Sequence, residues 1–222
     1  MNKITAHKAL SMIALPNGIM YAYCIEKNEN IMKVGYKMIS FESGKISNVS
    51  KSIFTLTKFG AAYKAFESKI KNYLTCSTVM LENGQLFIVE LDGSALMIDS
   101  DGTELWSGKL LYQSSAPSSV TVTDGSLWAA FAAKNVIIKY NLQNLREELR
   151  IGGEKSVFDV PINLFPAGKK LFICNGGNKE IWKLDVTDFS TEKYFEFNEP
   201  LLDYTFVGKY EIVALESGIY LL

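Results

Sequence analysis

Apolar residues in this chain come in short runs, and most runs open just after a glycine. "NGIMYAYC" (17–24), "NGQLFIVE" (83–90), "DGSLWAAF" (124–131), "AGKKLFIC" (167–174) and "VGKYEIVA" (207–214) follow one template. Each is too short for a helix and reads as a buried strand leaving a tight turn. The glycine supplies the positive φ that such turns need. An aromatic follows three or four residues on (Tyr21, Phe87, Trp128, Phe172), with Ile212 in its place in the last copy, and is expected to pack between layers. Gly84, Gly125, Gly168 and Gly208 are separated by 41, 43 and 40 residues.

The copies extend beyond this strand. "LMID" (96–99), "IIKYN" (137–141) and "IWKLD" (181–185) run apolar into Asp or Asn at a turn. A more polar strand follows in each unit, and a further strand precedes the next turn glycine. That preceding, innermost strand is expected to be the most apolar, covered on both faces. Four strands in a repeat of about 42 residues describe a propeller blade. Five glycine anchors predict an all-β, five-bladed β-propeller, one domain over residues 1–222. "LMIDSDGTELW" resembles the repeat of quinoprotein-type propellers, and "DGSLWAAFAAKNVIIKYNLQN" is similar to NHL-type blades. The resemblance implies the architecture, in which Gly, Asp and Trp are structural and no quinone is required.

Two features depart from the period. Blade five, counted from Leu201, lacks an outer strand, and Ile219 to Leu222 would stand as an exposed apolar edge. "MNKITAHK" lies spare before the first blade and is expected to pair there, closing the ring. The interval from Gly18 to Gly84 is 66 residues, too long for one blade. Its excess, about 58–75, holds "FGAAYKAFESKIKNYL" (59–74), whose apolar residues recur at helical spacing with Lys64, Lys69 and Lys71 largely on the other side. An amphipathic helix is predicted there, after an outer strand "SIFTLT" (52–57), as a brace or a partner-docking surface.

Composition narrows the function classes. The apolar share is 48%, the formal net charge is -1, and Arg occurs only at 146 and 150. Neither nucleic acid nor an anionic membrane is favoured. No apolar run is long enough to span a bilayer, and no signal-peptide core is present, so a cytoplasmic protein with reduced thiols is expected. Three scattered cysteines (Cys24, Cys76, Cys174) and one histidine, His7, argue against a metal site or a Ser-His-Asp triad, and no cofactor is expected. Charge is uneven: residues 1–71 hold eleven Lys against four Glu, and residues 185–216 hold eight acids against two Lys.

The candidates for chemistry are few. Ser11, Ser77 and Ser118 each stand seven residues before a turn glycine and would ring a channel mouth. Asp159 and Asp203, beside Phe158 and Tyr204, lie on the same expected entry side. Two carboxylates flanking a sugar bond would make a glycoside hydrolase. Near-equivalent pockets on each blade would make a lectin-like propeller. The reading favoured by the sequence is a non-catalytic interaction module. It would take an unknown protein, or a small polar ligand such as a glycan, through its entry-face loops and the inserted basic helix.

Overall fold

The structure is a computed structural model that describes residues 1–28, 32–60, 77–81 and 83–222. It is a five-bladed β-propeller. A lone strand β1 (Asn2–Thr5) comes first. Blade one is β2 (Ala9–Leu15), β3 (Gly18–Lys27), β4 (Met32–Ser40) and β5 (Ile46–Asn48), followed by helix α1 (Lys51–Phe59). Blade two is β6 (Ser77–Met80), β7 (Leu86–Val89), β8 (Ser94–Ile98) and β9 (Glu104–Lys109). Blade three is β10 (Ser119–Thr123), β11 (Ser126–Phe131), β12 (Val136–Asn141) and β13 (Glu147–Gly152). Blade four is β14 (Pro161–Ala167), β15 (Lys170–Asn175), β16 (Glu180–Asp185) and β17 (Thr191–Glu196). Blade five is β18 (Leu201–Val207), β19 (Tyr210–Leu215) and β20 (Gly218–Leu221). Its fourth strand is β1, which pairs antiparallel with β20 through Asn2–Leu221, Lys3–Tyr220 and Thr5–Ile219.

The chain forms two compact units, Met1–Gly60 with Glu199–Leu222, and Ala61–Asn198. In the first, blades five and one face each other through β18 and β2. Ile19, Tyr21, Ile39, Ile212, Ala214 and Ile219 form the apolar layer between them. In the second, β10 lies between β6 and β14. Phe87, Leu127, Ala129, Phe131 and Ile138 fill the layer between blades two and three. Trp128, Ile137, Phe158, Leu171 and Ile173 fill the one between blades three and four. The template aromatics Tyr21, Phe87 and Trp128 are wholly buried in these layers.

Burial does not peak on the inner strands, as the sequence suggested. It peaks on the second strands: every residue of β7 and β11 is buried, whereas β6 has none and β14 has two. A second strand has sheet partners on both sides and a neighbouring blade against its faces. An inner strand has a sheet partner on one side only. Its other edge needs polar partners, which is why it carries Ser, Thr, Asn and Asp.

A second correction concerns residues 52–57. The outer strand of blade one is the short β5, and "SIFTLT" belongs to α1. Ser50 caps this helix, its Oγ accepting from Ile53 N at 3.2 Å. The Thr55 and Thr57 hydroxyls donate to carbonyls one turn back. That bond lets a threonine, usually a strand former, sit in a helix. Phe54 and Phe59 are buried, and the Phe54 ring lies 5.1 Å from Tyr36. Gly60 ends the helix, donating to Leu56 O. The predicted helix over 59–74, with Lys64, Lys69 and Lys71, lies outside the described residues apart from its first two positions. Of the cysteines described, Cys174 is buried and Cys24 half-buried.

The closing strand is held by two local features. Gly218, at φ +147°, brings its Cα against Thr5, and a Cβ there would stand 2.1 Å from the Thr5 carbonyl oxygen. His7, just past β1, contacts the Thr5 and Tyr21 hydroxyls through Nδ1 at 2.9 and 2.8 Å and packs 4.3 Å from the Tyr23 ring. Burial, then the nearby Lys37 ammonium, lower its pKa from 6.5. Burial also pushes the Tyr21 hydroxyl up to about 12, so it remains a donor.

Two predictions follow from this closure. Gly218→Ala should cost roughly 1–3 kcal/mol by overpacking. Gly208→Ala, at φ +58° with open space around it, should cost about 1 kcal/mol from backbone strain alone. Urea unfolding of both variants checks the order. The neutral His7 fits the folded state better than the cation does. Its contribution is therefore present above about pH 6.5 and lost as pH falls below it. Unfolding at pH 7.5 and 5.0 should show His7→Gln to be less acid-sensitive than the parent.

Candidate functional site

Each inner strand carries a short polar residue four positions before the last paired residue of its hairpin: Ser11, Ser77, Ser119, Asn163 and Asp203. Where the next blade lies in the same unit, the side-chain oxygen accepts from its inner-strand amide. Ser77 Oγ accepts from Val120 N at 2.7 Å, Ser119 Oγ from Leu164 N at 3.1 Å, and Asp203 Oδ2 from Met12 N at 3.0 Å. Ser119 also donates to Asn163 Oδ1 at 3.0 Å. These contacts sew neighbouring inner strands together at their bare edges.

This places most of the residues singled out from sequence. Ser11 Oγ accepts from Lys58 Nζ of α1 at 3.4 Å. Ser118 is one residue off the belt, and its hydroxyl lies 2.6 Å from Pro161 O and 3.0 Å from Ala130 O. Asp203 accepts from Tyr204 N through Oδ1 at 2.8 Å, so both oxygens hold backbone amides. Asp159, in the second unit, is half-buried, its carboxyl against Gly177 of the same unit. Phe158 is 1% exposed and Tyr204 fully buried, its hydroxyl donating to Glu211 Oε2 at 2.6 Å. The Phe158 ring belongs to an apolar layer, and neither ring is exposed to a ligand.

The sequence missed a sizeable opening. In the second unit, a cleft of 820 Å³ lies between blades two and three, on the rim of the hairpin turns rather than on the expected entry side. Met97, Trp106, Val122, Leu142 and Leu145 are among its apolar lining residues. Met80 and Leu105, 47% and 46% exposed, are also in the wall. Trp106 stacks 6.1 Å from Phe87 at 22°. Gly108 gives its ring room, since a Cβ there would stand 2.7 Å from Trp106 Cζ2. Asn83, Gln85, Gln143 and Asn144 bring amides to the rim, and Asp124 brings a carboxylate. Among the described residues no group of three His, Cys, Asp or Glu side chains is placed to hold a metal, and no helix is long and apolar enough to cross a membrane.

No family model matches the chain, and neither does any curated protein. Solved structures do. U3-55K matches with a TM-score of 0.56 at 11% identity, over 98% of this chain and 61% of that one. A virginiamycin B lyase from Staphylococcus aureus, solved with quinupristin, matches at 0.54 and 18% identity, over 94% and 63%. The glutaminyl cyclase of Myxococcus xanthus matches at 0.53 and 5% identity, over 99% and 91%. The chain thus spans under two thirds of the length of the first two. At such identities the likeness establishes the propeller fold and nothing of activity.

If the belt is structural, loss of an acceptor should be read in stability. Asp203→Ala and Ser119→Ala should each cost about 1–3 kcal/mol, because an inner-strand amide loses its partner. Asp203→Asn keeps only one of the two acceptor oxygens and turns its NH2 toward the other backbone N–H, so it too should cost about 1–3 kcal/mol. Equal urea midpoints for Asp203→Ala and the parent would refute the belt.

Proposed function

We propose that the protein is a non-catalytic propeller that works as a protein-interaction module, taking a segment of a partner protein in the cleft between blades two and three. The observation that carries this reading is the cleft's surface: exposed Met80 and Leu105 beside a stacked Trp106, ringed by side-chain amides. Apolar walls with a few convergent polar groups suit an inserted side chain and its flanking backbone. The volume falls within the range of about 300–1,000 Å³ usual for such sites. Methionine adapts its shape to what it meets, and tryptophan offers a large, rigid contact.

An enzymatic reading finds less support. The Asp203 carboxylate is engaged by two backbone amides and is badly placed to act as acid or nucleophile. A lectin-like reading would want the same pocket on successive blades, and the described clefts have unlike linings. The basic stretch with Lys64, Lys69 and Lys71 is kept as a second contact surface.

The test compares three folded proteins in cross-linked pull-downs: the parent, Met80→Glu/Leu105→Glu, and Lys64→Glu/Lys69→Glu/Lys71→Glu. A partner recovered by the parent and reduced about tenfold by the cleft variant is the expected result. Undiminished recovery by the cleft variant, with loss in the lysine variant, would move the working surface to the basic stretch.

A further inference from the structure

We infer that the cleft reads a large apolar side chain flanked by a basic residue, so that the partner segment is cationic as well as apolar. This rests on the interaction-module reading and names the chemistry of its ligand. The argument is one of charge around an apolar floor. Asp124, in the two-residue turn between β10 and β11, lines the cleft, and its carboxylate has no hydrogen-bond or ion-pair partner among the described residues. Its backbone is held at φ +51°, which fixes where that carboxylate starts from. The β8–β9 turn adds Asp99 and Asp101. It adjoins the rim, since a Cβ on Gly84 would touch Ser100 Cβ at 3.6 Å while Asn83 and Gln85 line the cleft. Both aspartates are exposed or half-exposed. Hydrogen bonds from Thr103 hold Asp101 below the usual carboxylate range, so it stays charged. Glu104 stands next to the exposed Leu105. Against these four acids the adjoining β12–β13 turn offers one cation, Arg146.

Geometry and charge therefore agree on one kind of occupant. The apolar floor of Met97, Trp106 and Leu142 takes an aromatic or long aliphatic side chain. A neighbouring Lys or Arg then meets Asp124 in the wall, with the acidic β8–β9 turn adjoining the rim and the Trp106 indole lining the same cleft. The rim amides of Gln85, Gln143 and Asn144 suit the backbone between the two. An acidic segment would meet like charge and be rejected.

The probe is a labelled twelve-residue peptide of glycine and serine with one central tryptophan between two lysines. Its partners in the test are the same peptide with two glutamates for the lysines, and with alanine for the tryptophan. Anisotropy titrations use the full chain, Asp124→Asn, Asp124→Asn/Asp101→Asn, and Met80→Glu. Asparagine tolerates the positive φ, so these acid variants should fold. The expected result is saturable binding of the lysine–tryptophan peptide, at least tenfold weaker binding of the glutamate and alanine peptides, and a three- to tenfold loss in the Asn variants. That binding should also weaken with added salt. Equal affinity for the lysine and glutamate peptides, with Met80→Glu abolishing both, would overturn the charge reading and leave the cleft standing. No saturable binding, or binding indifferent to Met80→Glu, would overturn the cleft itself.

Discussion

A propeller's inner strands pose the constraint on which everything else here depends. Each has a hydrogen-bonding partner on one side only, and the amides on the bare edge are still obligatory donors. In this chain the neighbouring blade answers them with a short side chain. Ser77, Ser119 and Asp203 each accept from the next inner strand, at Val120, Leu164 and Met12. Because the acceptors are small, the inner strands can approach closely. That approach brings the second strands of adjacent blades into range of each other's faces. The apolar layers around Tyr21, Phe87 and Trp128 then form where the sheets are most completely covered.

The same logic governs the edge at the last blade. An unpaired β20 would present open backbone and apolar side chains to any passing strand. β1 occupies that edge, and Gly218 makes room for it where a side chain would strike the Thr5 carbonyl. His7 sits against Tyr21 and Tyr23 and so ties the closing strand to blade one, within a cluster whose burial favours the uncharged imidazole.

Much of the fold was legible because a propeller repeats its signals: turn glycine, buried run, aromatic, Asp or Asn turn. The belt was half legible. Counting back from glycine picked Ser11, Ser77 and Ser118, but the glycine does not occupy one structural position. Gly18 is the first paired residue of β3, whereas Gly125 lies inside its two-residue turn. The count slips by one, and strand pairing shows Ser119 to be the equivalent residue. α1 was misread because Ile53, Phe54, Thr55 and Thr57 look strand-like one by one. Its start was nonetheless written in Ser50, which caps it. The cleft left no mark in the sequence, since its walls come from four separated stretches: Met80, Leu81, Asn83 and Gln85; Met97, Leu105 and Trp106; residues 122–125; and residues 142–145. No local pattern joins them.

Polar side chains that look chemical in one dimension are thus largely the mortar between blades, and the surface we propose for a partner is the apolar cleft on the hairpin rim. Amide hydrogen exchange with and without a bound partner tests this most directly. The account predicts added protection in the rim segments at 80–81, 83–85, 104–106, 124–125 and 142–145, with the segments at 26–28 and 176–179 unchanged. Protection confined to the latter two, with the hairpin rim unaffected, would contradict it.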